Sequence, residues 1–131
     1  MTKGTPLGYV QPHNRAGARR VATRRREEAM LELYHNINSV CAQKVRLALN
    51  EKRLECTEHL MTLRGDQFDP AYIKLNPNGV VPTLIHDGQP TIESSIILYY
   101  LDEAFPERPL MPTAPLARAK VRLFNKLIDD V

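Results

Sequence analysis

Three short stretches of the chain carry residue types that could do chemistry together. The first is "NINSVCAQKVRLAL", which offers Ser39 where a helix should open and Cys41 inside its first turn. A hydroxyl beside a helix N-terminus donates a hydrogen bond to an anion, and for a bound thiol that setting stabilises the thiolate and lowers its pKa. The second is "VVPT", in which a cis Val81–Pro82 bond would turn the Val81 backbone outward to pair with an extended peptide ligand. The third is "TIESS", where Glu93 and Ser94 precede an apolar helical run. Glu93 suits an ammonium, while Ser94 and a helix N-terminus suit a carboxylate, so the pair fits a zwitterion. Each residue also fits a purely structural role. Ser39 alone is an N-cap worth about 1 kcal/mol, Pro82 alone punctuates a strand, and Glu93 alone is a surface acid. Their joint occurrence in this order favours a site.

The elements that would position these residues follow from periodicity. "MLELYH" (30–35) reads as a strand with Leu31, Leu33 and His35 on one face and Tyr34 on the other. Residues 39–52 place Cys41, Val45, Ala48 and Leu49 at helical spacing, which sets Cys41 on the apolar stripe as a small buried hydrophobe. A second strand is expected over 53–61, a short helix over 70–75, and a turn at "NPNG" (76–79). Residues 81–93 form two strands around an Asp87-Gly88 turn, and 94–105 a helix opened by Ser94. The predicted order is βαβ, α, ββ, α: an α/β fold with a four-stranded mixed sheet and helices on both faces.

Composition narrows the class. The chain has 131 residues, 43% of them hydrophobic, which is enough for one cored domain. No apolar run approaches the roughly 18 residues that span a bilayer. Cys41 and Cys56 form neither a disulfide framework nor a C-x-x-C motif, which points to a reducing cytoplasm and away from dithiol chemistry. His13, His35, His59 and His86 are scattered without metal-ligand spacing.

The net charge of +3 is concentrated at one end. Residues 1–26 hold seven cations and no acid, whereas residues 27–131 hold 11 cations against 15 acids. The basicity therefore implies no nucleic-acid surface on the folded part. Residues 1–29 are rich in Gly, Pro and Arg and are expected to be a disordered basic extension. An idle upstream segment, with Met30 as the true start, is preferred over a transit peptide or a basic binding arm. Residues 106–115 read as a Pro-rich linker. Residues 116–131 place Ala117, Val121, Phe124, Leu127, Ile128 and Val131 at helical spacing. That helix lacks a Gly cap and carries Asp129 and Asp130 at its unfavourable end, so it is expected to continue into a larger, truncated helical domain. Self-association through the stripe is the alternative.

The combination N-P-x-x-x-V-P-T-L, D-G and E-S-x-x-I-x-x-Y-L over residues 31–105 resembles the thioredoxin-like N-terminal domain of cytosolic glutathione transferases. Residues 116–131 resemble the first helix of their all-helical second domain. The S-x-C-x-x-x-V-R-x-A-L pattern is similar to the serine-type classes, zeta or theta-like. The resemblance implies glutathione as co-substrate, no metal, an apolar electrophile as second substrate, a homodimer at full length, and no nucleic-acid or membrane partner. It implies Ser39 as the catalytic position that assists the glutathione thiolate. Val81 with Pro82 would hold the cysteinyl backbone, Glu93 with Ser94 the γ-glutamyl end, and Gln67 would lie near the glycine carboxylate. Cys41 would be structural or supporting. Two positions depart from the pattern: Val80 stands where many members carry Gln or Lys, and Glu93 where the zeta pattern commonly has Gln. Two further readings go with the resemblance: a glutathione-binding module without turnover, and a glutathione-dependent lyase or isomerase.

Overall fold

In a computed structural model of the chain, residues 30–130 are described; the expected basic extension, residues 1–29, and Val131 lie outside them. Strand β1 (Leu31–His35) leads through a short loop to helix α1 (Val40–Glu51), strand β2 (Thr57–Leu60), a 3₁₀ turn (Asp66–Phe68) and helix α2 (Pro70–Leu75). Strands β3 (Thr83–His86) and β4 (Gln89–Ile92) follow, then helices α3 (Ser94–Ala104) and α4 (Pro115–Asp129). The sheet order is β2-β1-β3-β4, with β1 and β2 parallel and the other pairs antiparallel. This is the four-stranded mixed sheet expected, in a thioredoxin-like arrangement.

Alternation along β1 decides what each face of the sheet buries. Leu31 and Leu33 point into a core with Val45, Ala48 and Leu49 of α1, Leu84 of β3, and Ile97 and Leu101 of α3. Tyr34 points the other way and packs with Tyr72 of α2, Met61 and Val81. β1 is one of the two inner strands and buries apolar side chains on both faces, at roughly 1.5–3 kcal/mol per large aliphatic side chain.

Helix α1 ends through a tight backbone motif in which the Leu54 N–H reaches the Leu49 carbonyl and the Arg53 N–H reaches Asn50, both at 2.9 Å. Arg53 takes the left-handed conformation this closure requires, with φ 54°. That is why β2 starts only at Thr57, later than the alternation from Arg53 predicts. The β3–β4 turn has positive φ at both Asp87 (49°) and Gly88 (80°), the geometry expected of a tight hairpin.

Lys52, at the end of α1, is fully buried. Its ammonium pairs with Asp102 of α3 at 3.0 Å and donates to the Arg108 carbonyl at 2.8 Å. Asp102 also accepts the N–H groups of Leu110 (2.6 Å) and Met111 (3.2 Å). The start of the Pro-rich 106–115 segment is therefore fastened to the sheet domain. Helix α4 is held at its far end, where Asp129 accepts from Lys44 Nζ (2.6 Å) and from the Ser95 hydroxyl. Of the two acids that looked misplaced at this helix end, Asp129 has partners on α1 and α3, and Asp130 pairs with Lys126 of α4 itself. Leu116, Phe124, Leu127 and Ile128 stay exposed.

Candidate active site

Strand register brings the three chemistry-bearing stretches to one end of the sheet. Tyr34, near the end of β1, pairs with Thr83 at the start of β3, and Thr83 pairs with Ile92 at the end of β4. Ser39 follows β1, Val81 precedes β3 and Glu93 follows β4, so all three sit beyond the same row. Strand β2 runs parallel to β1 and delivers its following turn, with Gln67, to that end as well.

Ser39 caps α1. Its Oγ accepts the Ala42 N–H at 3.2 Å, which satisfies one of the unpaired donors of the first turn. That bond uses an oxygen lone pair and leaves the O–H to donate. Capping and donation to an anion are thus compatible in one side chain. The loop before it is pinned: Asn36 Nδ2 donates to the Met61 carbonyl (2.7 Å), and a guanidinium N–H of Arg46 donates to the Ile37 carbonyl (3.1 Å).

The Val81–Pro82 bond is cis. The β1–β3 ladder ends at the Tyr34–Thr83 pair, which leaves Val81 just beyond it. The preceding carbonyl, Val80 O, accepts from Tyr72 Oη (2.6 Å) and Asn76 Nδ2 (2.9 Å).

Glu93 occupies the N-cap of α3 at φ 67°, ψ 115°, an uncommon backbone state for a side-chain-bearing residue. Its carboxylate is exposed and makes no capping bond; Asn78 Nδ2 lies 3.4 Å from it. The helix opens at Ser94, as the sequence suggests, with Ser94 buried as its first residue and Glu93 in the N-cap position. Lys44, in the second turn of α1, reaches Ser95 Oγ in the first turn of α3 at 3.4 Å.

Gln67 lies in the 3₁₀ turn, and its Oε1 accepts the Gly65 N–H at 2.9 Å, so its amide N–H groups are what it can offer a ligand. Asp66 fixes this turn. The N–H groups of Thr62 (2.6 Å) and Leu63 (2.9 Å) bond its carboxylate, and the Thr62 contact above all holds its pKa below the usual carboxylate range. Gly79, at φ 60°, lies against the turn: an added Cβ would come within 3.2 Å of the Phe68 ring and 3.4 Å of the Gln67 carbonyl.

Residues 33–109 match the family model described as glutathione S-transferase, N-terminal domain. The chain belongs to the glutathione S-transferase family. A zeta-class glutathione S-transferase from Euphorbia esula is 45% identical over 85 residues, covering 63% of this chain and 37% of the relative. Among solved structures, beta-etherase LigF from Sphingobium sp. strain SYK-6 superposes with a TM-score of 0.72 at 35% identity, covering 76% of this chain and 42% of that one. A glutathione transferase homolog from Sulfitobacter with bound glutathione superposes with a TM-score of 0.66 at 30% identity, covering 71% and 45%. The chain spans about two fifths of the length of the curated relatives it matches.

In this glutathione S-transferase domain, Cys41 is not where the sequence pattern put it. The inner stripe of α1 is Ala42, Val45, Ala48 and Leu49, and Cys41 is exposed. Ala42 takes the inward position three residues before Val45, and one residue off that stripe means about 100° of rotation. Packing is thus not what Cys41 does. Sequence reasoning also passed over Asn36, Tyr72, Asn76 and Asn78. Asn76 was visible only as the first residue of a turn, and nothing in its type marked it as fully buried. Among the described residues, no helix is long and apolar enough to cross a membrane, and no group of three His, Cys, Asp or Glu side chains could hold a metal ion.

Proposed function

We propose that this chain binds glutathione and stabilises its thiolate for attack on an apolar electrophilic small molecule. The observation that carries the reading is the convergence of Ser39, the Val81 backbone and the Glu93–Ser94 helix start at one end of the sheet. Ser39 Oγ donates its hydrogen to the thiolate while it accepts from Ala42, and a hydrogen bond to a charged group contributes about 1–3 kcal/mol. The dipole of α1 adds to this preference for negative charge. Val81 pairs with the cysteinyl backbone, and Pro82 closes the same wall. Glu93 pairs with the γ-glutamyl ammonium, Ser94 and the first turn of α3 receive its carboxylate, and Gln67 amide N–H groups serve the glycine carboxylate. Val80 leaves one position of the site apolar.

The full-length protein is a cytoplasmic homodimer in this reading. The exposed stripe of α4, including Phe124, Leu127 and Ile128, packs against further helices that build the electrophile pocket. Residues 30–105 are the glutathione-binding domain and 106–115 the connection to α4. The similarity to a beta-etherase favours a second reading, in which the same thiolate cleaves an ether. Calorimetric titration tests the core of the proposal: the 131-residue chain should bind glutathione, and Ser39→Ala should bind it with a smaller lowering of its thiol pKa. Absence of binding by the chain, or an unchanged thiol pKa shift in Ser39→Ala, would sink it.

A further inference from the structure

We propose that Asn76 is a positioning residue that sets the distance between Val81 and Glu93, and so matches the site to the γ-glutamyl arm of its peptide. The inference rests on the glutathione reading above. Asn76 lies outside that site, is fully buried, and touches no ligand in that reading. Its side chain makes three hydrogen bonds that run toward both ends of the site. Nδ2 donates to Val80 O at 2.9 Å and to Thr83 Oγ1 at 3.0 Å, the residues flanking Val81 and Pro82. Oδ1 accepts the Asn78 N–H at 3.1 Å, and the Asn78 side chain reaches Glu93 Oε1 at 3.4 Å. A second path runs through the sheet, because Thr83 pairs with Ile92, the residue before Glu93.

Tyr72 reinforces one arm only. Its hydroxyl donates to Val80 O at 2.6 Å and shares a 2.8 Å bond with Thr83 Oγ1. Asn78 serves only the other arm. Of the side chains of Tyr72, Asn76 and Asn78, the carboxamide of Asn76 is the one bonded into both arms, beside the backbone path through Thr83 and Ile92. A carboxamide is suited to this because it donates twice and accepts on the same rigid plane. Buried polar networks of this kind fix geometry because an unmade bond leaves a desolvated group unpaired.

The two arms make the proposal testable with two ligands: glutathione, and cysteinylglycine, which lacks the γ-glutamyl group. Affinities are measured by NMR titration on the full 131-residue chain, alongside its melting temperature. Asn78→Ala should weaken glutathione by about 2- to 10-fold, the range for one hydrogen bond, and leave cysteinylglycine unchanged. Tyr72→Phe should weaken both ligands by the same factor. Asn76→Ala should weaken both, and glutathione more. A merely structural role would lower the melting temperature and reduce both affinities alike in all three variants, which would overturn the inference. So would Asn78→Ala leaving glutathione unchanged. Should Asn76→Ala not fold, the contrast between the other two variants still decides: a loss confined to glutathione in Asn78→Ala and an equal loss of both ligands in Tyr72→Phe support the two arms, and any other pattern overturns them. A wild-type chain that does not prefer glutathione to cysteinylglycine would instead overturn the assignment of Glu93 to the γ-glutamyl end.

Discussion

Replacing Glu93 with glycine should make the protein more stable and a poorer glutathione binder in one step. Glu93 sits at φ 67°, ψ 115°, where a side-chain-bearing residue costs about 1–3 kcal/mol. Glycine removes that strain but gains about 0.5–1 kcal/mol of freedom in the unfolded chain. The exposed carboxylate stabilises little in return, since it caps nothing and its contact with Asn78 is 3.4 Å long. The net expectation is a gain of about 0–2.5 kcal/mol, read by urea denaturation or as a rise of about 4–8 °C in melting temperature per kcal/mol. Binding should fall as a charge-assisted bond to the ligand ammonium is lost, about 1.5–3 kcal/mol or roughly 10- to 150-fold. Glu93→Ala is the control, because it loses the carboxylate and keeps the strain. A less stable Glu93→Gly variant, or one that binds glutathione as well as wild type, would refute the reasoning that strain is retained here for the ligand.

Ser39→Ala should cost about 1 kcal/mol of stability through the lost cap, measured by chemical denaturation with the fold intact by circular dichroism. Lys52→Met should destabilise by about 3–5 kcal/mol, because it leaves Asp102 with no cation in a buried setting; a variant within 1 kcal/mol of wild type would contradict the pairing. Asp102 gives a pH signature. Desolvation pushes its pKa up, but the N–H bonds from Leu110 and Met111 and the Lys52 ammonium outweigh it and hold the pKa below the usual value. A depressed folded-state pKa contributes stability that is present above the unfolded value, about 3.9, and is lost as pH falls through the folded one. Asp102→Asn should therefore flatten the acid limb of the stability curve below about pH 4.

Much of the fold was legible because its periodicities are local. Alternation in Leu31–His35 identifies a strand and its two faces, and Asp87-Gly88 identifies the hairpin turn. The hydroxyl, proline and carboxylate at three element boundaries pointed to one site, and strand register placed those boundaries together. What was not legible depends on contacts across the chain. Cys41 and Ala42 are adjacent small residues, and only the packing of α1 on the sheet decides which faces inward. Arg53 carries no sign of the left-handed turn that delays β2. Lys52 looks like any solvated helix end until Asp102 and the Arg108 carbonyl close over it. Asn76 reads as turn chemistry, and its partners Thr83 and Val80 become visible only when the loop is folded.

The central claim is that the Ser39 end of the sheet holds glutathione as its thiolate. The most direct measurement is the ultraviolet thiolate absorbance of glutathione bound to the chain, followed as a function of pH. A bound thiol that ionises clearly below the ordinary value of about 8.5, with Ser39→Ala returning it toward that value, is the predicted result. A bound thiol that titrates like free glutathione in the wild-type chain would contradict the account.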